Sequence, residues 1–324
     1  MFEVFLFIII TLIVSLAIDL IFGELPTVIH PVVIIGSLIS FFKKIFIRID
    51  NRWSGFLTTI FVIIIFSLII TILMLLTSIN DYLFIIVYSI LLSSTYSIKM
   101  LLSTARSVEK DLKEDIDKAR KAVSYLVSRD TDELTEAFIV SATIESMTEN
   151  ITDSYVAPVF YFTVFSIVLI ILNKNYFILL LLILFVYRIS NTMDAMLGYM
   201  SDELINIGYF PAKLDDVLNY VPSRVSGIFV VLSAYLLRYD GKNAFKIMKR
   251  DARNCPSPNS GYTMAPTAGA LNIQLVKKDT YVLGDNIKEI NVNDISKAIN
   301  LTALTISLFT IFILIIMTIV YVII

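Results

Sequence analysis

The run from Phe56 to Ile79 contains no charged residue, and a soluble fold has little use for a stretch that long and that apolar. A helix needs about 20 residues to cross the roughly 30 Å hydrocarbon layer, so this run predicts a membrane span. Residues 4–22 and 301–324 meet the same measure. The run 82–98 is shorter. Residues 158–187 are long but interrupted by Asn173-Lys174-Asn175, which predicts a tight turn between spans at 158–172 and 176–190. Residues 225–237 are too short for an easy crossing and read as a half-span or re-entrant helix, tolerated only where protein or water satisfies its backbone ends. Composition agrees, with 57% of the 324 residues hydrophobic against about 45–50% in soluble domains. Mean hydropathy is +0.82. The expected fold class is all-α: a polytopic membrane helical bundle in one domain, 1–324, with cytoplasmic amphipathic helices in the polar segment 99–157 and an irregular Pro/Gly/Asn loop.

The 26 basic and 28 acidic residues give a net charge of -2, which leaves no basic excess and excludes nucleic acid as a partner. Cys255 is the single cysteine, so no intrachain disulfide forms. Residues 4–22 lack a basic n-region and a small-residue cleavage site, and are expected to stay as the first helix of a multi-pass cell-membrane protein. Lys43, Lys44, Arg48 and Arg52 follow that helix, whereas only Glu3 precedes it, which puts the N-terminus outside and 23–55 in the cytoplasm. The polar segment 99–157 then falls on the cytoplasmic side. The sides of 188–224 and 240–298 depend on whether 158–187 is a hairpin and whether 225–237 crosses.

Three polar clusters interrupt the apolar pattern. Glu145, Glu149 and Asp153 fall at i, i+4 and i+8, one acidic stripe on a helix, with Asn150 beside it. Carboxylates so close repel one another until a cation sits among them. Mg²⁺ suits such a set, because it takes hard oxygen ligands and bridges one or two carboxylates to substrate phosphate. The same residues would also serve as a solvated helix end that caps the following helix. Arg188, Asn191 and Asp194 lie about one turn apart at the edge of an apolar run, and Asp215 and Arg224 follow. In residues 250–275, Pro256, Pro258 and Gly261 rule out a regular helix and predict a loop carrying Ser257 and Asn259, whose amides suit an anion. The only histidine, His30, precedes Pro31 and as a bare residue reads as a helix start; with no His or Cys cluster, zinc is excluded. In residues 104–141 charges alternate with apolar positions at helical spacing, which predicts amphipathic helices broken near residues 128–131.

The runs AIDLIFGELPTVIHPVVIIGSLI (17–39), VSRDTDELTEAFIVSATIESMTENITDSYVAPVFY (127–161), YRISNTMDAMLGYMSDELINIGYFPAKLDDVLNYVPSR (187–224) and CPSPNSGYTMAPTAGALNIQL (255–275) occur in this order. In them the sequence resembles the integral-membrane adenosylcobinamide-phosphate synthase family of cobalamin biosynthesis. Cys255 and Met264 stand where many members of that family carry a histidine and an acidic residue, which removes those two positions from the catalytic set. The resemblance implies an amide ligation: a carboxylate of adenosylcobyric acid joins the amine of aminopropanol phosphate, or aminopropanol, with ATP consumed and Mg²⁺ present. It implies a corrinoid and an amino-alcohol phosphate as substrates, the lipid bilayer as surroundings and association with other cobalamin-pathway enzymes. Under it Glu145, Glu149, Asp153 and Asn150 hold the metal, with Asn191 orienting. Arg129, Arg188, Arg224, Ser257 and Asn259 meet phosphate or carboxylate, while Asp194, Asp215 or His30 accepts the amine proton on the cytoplasmic side. Two other functions use the same residues: an Mg-dependent membrane prenyl-diphosphate transferase, and a transporter with Asp19, Glu145 and Asp194 along its path.

Overall fold

The computed structural model describes residues 1–49, 51–127, 130–198 and 203–324. Arg129, a candidate for phosphate or carboxylate binding, lies outside the described residues. Helices dominate: α1 (Phe2–Phe22), α2 (Pro31–Phe46), α3 (Trp53–Thr77), α4 (Asp81–Ser93), α5 (Ile98–Glu114), α6 (Ile116–Ser124), α7 (Glu136–Ile151), α8 (Ala157–Leu172), α9 (Phe177–Leu197), α10 (Tyr209–Leu218), α11 (Tyr220–Leu236), α12 (Gly241–Asp251), α13 (Gly261–Leu271) and α14 (Asn293–Ile323). A π-helical turn, Thr152–Val156, joins α7 to α8. Among the described residues, six helical stretches are long and apolar enough to cross a membrane, and α10 with α11, bent by 47° at Asn219, passes the same test as a pair. The fold is an all-α polytopic bundle.

The chain divides into two compact units. The first comprises Met1–Ser97, Pro158–Leu218 and Ile313–Ile324. Its core is aliphatic and aromatic: Ile8 and Leu12 of α1, Ile35 and Ile39 of α2, and Phe66 of α3 packed edge-on against Phe185 of α9 at 5.1 Å. Leu68, Ile72 and Leu76 of α3 remain exposed, as a helix facing hydrocarbon requires. The turn after α8 follows from Asn173, which adopts a left-handed φ of 50° and lets Lys174 N–H reach the Leu169 carbonyl while its own N–H reaches Ile170. That closure satisfies the helix end and reverses the chain into α9.

The second unit comprises Ile98–Ala157 and Asn219–Phe312. Its amphipathic helices bury Val108 of α5, Ala119 and Val123 of α6, and Ile139 and Ala142 of α7 in one cluster. The break expected near residues 128–131 falls between the end of α6 at Ser124 and the start of α7 at Glu136, and there is an earlier one at Asp115, whose carboxylate accepts the Asp117 and Lys118 amides and starts α6. The irregular loop is shorter than the 250–275 segment suggested. It occupies residues 252–260, and α13 begins at Gly261 with Pro266 inside it. Pro266 lacks the N–H that would bond the Tyr262 carbonyl four residues back. Gly227 of α11 packs against that carbonyl, where an added Cβ would sit 2.4 Å from the oxygen. A two-stranded hairpin follows, β1 (Leu275–Lys277) antiparallel to β2 (Tyr281–Leu283), with Leu275 opposite Leu283.

Candidate functional site

In the second unit the acidic stripe divides by environment. Glu145 is buried, and its carboxylate accepts the Ser141 hydroxyl at 2.6 Å and the Tyr281 hydroxyl at 2.8 Å. Ser141 in turn accepts the Val276 N–H at 3.0 Å, so both strands of the hairpin dock on α7 through one carboxylate and one hydroxyl. Burial pushes the Tyr281 hydroxyl well above its usual range, and the charges of Glu145 and Glu149 push it further, so Tyr281 stays a donor at neutral pH. One turn along, Glu149 is exposed. Asn150 folds its amide back to donate to the Ser146 carbonyl at 2.8 Å, which keeps its side-chain oxygen as an acceptor. Asp153 is half-buried in the π-helical turn, and the neighbouring Thr152 hydroxyl donates to Ser226 on α11 at 3.1 Å. Turns of this kind commonly occur at functional sites.

The 252–260 loop belongs to the same unit. Asn259 is buried and accepts from Arg224 at 2.6 Å, while its N–H donates to Ser257 Oγ at 3.2 Å. Cys255 is also buried, and its thiol is pushed up to about 11: burial is the main cause, a hydrogen bond with Ser260 opposes it, and Glu149 and Glu145 add to it. The α7 acids therefore act electrostatically on the loop, and a neutral thiol suits an inert Cys255.

The first unit gathers a separate polar set. His30 caps α2, its Nδ1 accepting the Val32 N–H at 3.1 Å, which leaves the ring proton on Nε2, 4.0 Å from Glu24. Glu24 also accepts the Ser97 hydroxyl at 3.0 Å. Burial lowers the His30 pKa, with Glu24 opposing and Arg188 reinforcing, so the ring is neutral at pH 7. Arg188 donates to Asn191 at 3.3 Å, and Asn191 donates to the buried Asp215 at 3.4 Å. Asp194 lies one turn from Asn191, half-buried, its carbonyl accepting the Gly198 N–H that ends α9. His30, Arg188, Asn191 and Asp215 thus meet in one unit, and Glu145, Glu149, Asp153, Asn150, Arg224, Ser257 and Asn259 belong to the other.

A metal-binding role for α7 can be tested on its donors. Among the described residues no group of three or more His, Cys, Asp or Glu side chains converges as a ready-made cage. Mg²⁺ does not require one, since it keeps several waters and completes its shell with substrate phosphate. Exposed Glu149, half-buried Asp153 and the Asn150 oxygen fit that partial role, and Glu145 stands behind them in its hydroxyl bonds. Sequence reasoning missed Ser141, Tyr281, Glu24 and Ser97. Glu24 lay inside a quoted run, but Tyr281 follows every run and nothing local marks it.

A family model described as CobD/Cbib protein matches residues 12–302. The chain belongs to this CobD/CbiB family. The chain is 45% identical to a probable cobalamin biosynthesis protein CobD of Methanothermobacter thermautotrophicus over 299 residues, 92% of this chain and 94% of the relative. A CobD of Clostridium perfringens is 36% identical over 305 residues, 90% of this chain and 92% of its own. A probable CobD of Methanocaldococcus jannaschii is 38% identical over 286 residues, 85% of this chain and 88% of its own. No solved structure matches the chain.

Proposed function

We propose that this CobD/CbiB protein acts in cobalamin biosynthesis as an ATP-dependent amide ligase, joining adenosylcobyric acid to aminopropanol phosphate, or to aminopropanol, to give adenosylcobinamide phosphate or its dephosphorylated counterpart. The observation that carries the proposal lies within the second unit. There α7 and its π-helical turn hold carboxylates in open and buried settings, and these act electrostatically on a loop that fixes a guanidinium. That is the residue chemistry needed to neutralise phosphate in a ligation.

A free carboxylate resists an amine. In the proposed reaction a carboxylate oxygen of the corrinoid attacks the terminal phosphorus of ATP, the bond to the bridging oxygen breaks, and an acyl phosphate and ADP form. The amine then adds to the acyl carbon, inorganic phosphate leaves, and the amine loses a proton. Glu149, Asp153 and Asn150 would hold Mg²⁺, which when bound would offset phosphate charge. Glu145, fixed by Ser141 and Tyr281, sets the α7 face on which those ligands stand. The first unit carries carboxylates of its own, Asp215 and Asp194, as proton acceptors. His30 uses its accepting nitrogen in the helix cap and contributes an N–H. Arg188 and Asn191 steady the Asp215 carboxylate.

The test is a reaction of the purified full chain in detergent with adenosylcobyric acid, aminopropanol phosphate, ATP and Mg²⁺, followed by mass spectrometry of the corrinoid. Glu149→Gln is run alongside. The expected result is a new amide from the unmutated protein and a loss of about a hundredfold or more in rate for the variant. No amide from folded protein, with aminopropanol also tried, would overturn the ligase and favour transfer from a prenyl diphosphate.

A further inference from the structure

Outside both polar sets, α12 turns a row of lysines outward. Residues 238–253 hold six basic side chains, Arg238, Lys242, Lys246, Lys249, Arg250 and Arg253, against two acids. Both acids are committed: Asp240 accepts the Asn243 N–H at 2.8 Å and starts α12, and Asp251 is bound by Arg250. Ala244, Ile247 and Met248 form the buried face of α12, and the Asn243 side chain donates to the Gly269 carbonyl of α13 at 3.1 Å, which fixes how the helix is turned. The other face carries Lys242, Phe245, Lys246 and Lys249 at i, i+3, i+4 and i+7, all of them exposed. Among the described residues none of these three lysines pairs with a carboxylate. Lys249 instead lies 4.8 Å from the centre of the Phe245 ring, which is itself 45% exposed.

The helix that leads into α12 locates this face. α11 exposes Ile228, Leu232, Tyr235 and Leu236 along one stripe, as a helix against hydrocarbon does. Arg238, at a left-handed φ of 57°, and the Tyr239 N–H, bonded to the Ala234 carbonyl at 2.8 Å, end α11 and turn the chain within residues 237–240. The Tyr235 ring lies against the first turn of α12, where a Cβ added to Gly241 would sit 2.6 Å from it. A tyrosine that closes a lipid-facing stripe marks the headgroup level, so the lysine row begins at the edge of the membrane. Like charges one turn apart destabilise a helix, and a negative surface laid against them offsets that cost. Lysines gathered on a helix beside a membrane segment, with an exposed phenylalanine among them, complement phosphate headgroups. We propose that the outer face of α12 docks on anionic phospholipid, with Lys242, Lys246 and Lys249 on the headgroups and Phe245 inserted between them.

The experiment uses the full chain and has two readouts. In nanodiscs of phosphatidylcholine with phosphatidylglycerol, Phe245→Trp is read in a Trp53→Phe background, which leaves one indole because the chain has a single tryptophan. Lipids brominated near the headgroup are expected to quench that indole strongly. In detergent, native mass spectrometry compares retention of phosphatidylglycerol and phosphatidylcholine by the unmutated protein and by a variant carrying Lys242→Gln, Lys246→Gln and Lys249→Gln, exposed sites whose loss does not threaten folding. The unmutated protein is expected to prefer phosphatidylglycerol. The variant should bind it about a hundredfold more weakly, since each lysine near an anionic surface contributes about fivefold, and should bind phosphatidylcholine as before. An indole left unquenched, or phosphatidylglycerol retained equally by both proteins, would overturn the proposal. Both results together would give the face to an acidic protein partner instead.

Discussion

Arg250 and Arg224 both belong to the second unit, which uses their guanidinium groups in opposite ways. Arg250 grips the buried Asp251 with two parallel bonds, Nε at 2.6 Å and Nη2 at 2.8 Å, and donates to Asp285 at 2.8 Å. Asp251 also accepts the N–H of Gly284, whose φ of 82° turns the chain out of β2. That circuit is closed: two acids and an amide tie the end of α12 to the end of the hairpin. Around Arg224 the partners are a hydroxyl, an amide and carbonyls, with the Tyr220 and Tyr262 rings against its faces. A guanidinium facing carboxylates is a brace. Facing neutral acceptors and aromatic rings, it holds a loop without an ion pair.

The sharpest way to break that contrast is to remove a carboxylate from the brace. Asp251→Ala strands the Gly284 amide and half of Arg250, and is expected to cost about 2–3 kcal/mol, seen as a lower thermal unfolding midpoint in detergent. Arg253→Gln, at an exposed site, is expected to leave that midpoint unchanged. Equal losses would mean that the midpoint does not report on the brace. A slightly smaller effect is expected from Gly227→Ala, because the new methyl group meets the Tyr262 carbonyl at 2.4 Å. The helices must part, at about 1–3 kcal/mol, and Tyr262 moves away from Arg224.

The membrane character was legible because hydrocarbon imposes a length and a composition on every spanning helix, and the runs at 4–22, 56–79 and 301–324 carry both. The α8–α9 turn was legible for a similar reason: Asn-Lys-Asn marks the left-handed closure that Asn173 supplies. The division into two units was not, since a contact pattern drawn from distant segments leaves no local trace. The acidic stripe appeared as one face, but the sequence has no term for depth, and depth separates buried Glu145 from exposed Glu149. Tyr281 was invisible because its role exists only once a hairpin with no distinctive residues lies on α7. Pro256, Pro258 and Gly261 argued for loop across 250–275, yet α13 starts at Gly261 and tertiary packing buries nearly all of it.

Acid titration sharpens the contrast from the side of the brace. Burial by itself would raise the Asp251 carboxyl, but the Arg250 hydrogen bond, the Gly284 amide and the Arg250 charge together outweigh it and hold the group below its ordinary value. A carboxyl whose folded pKa is depressed contributes stability above its unfolded pKa, about 3.9, and loses it as pH falls through the folded value. The unfolding midpoint should stay level from about pH 7 to pH 5 and drop below about pH 4, and Asp251→Asn should shrink that drop. An unchanged acid profile in the variant would mean that other carboxylates set it.

The smallest effect is expected at Cys255, in the loop between the two arginine sets. With the thiol pushed up to about 11 by burial, and the α7 acids adding to the shift, roughly one thiol in a thousand is ionised at pH 8. Alkylation by iodoacetamide should be slow in the folded protein and accelerate on denaturation. Rapid labelling would show that the loop opens spontaneously. The Arg224 guanidinium would then lose its claim to rigidity, because the Asn259 and Pro258 contacts that fix it belong to that same loop.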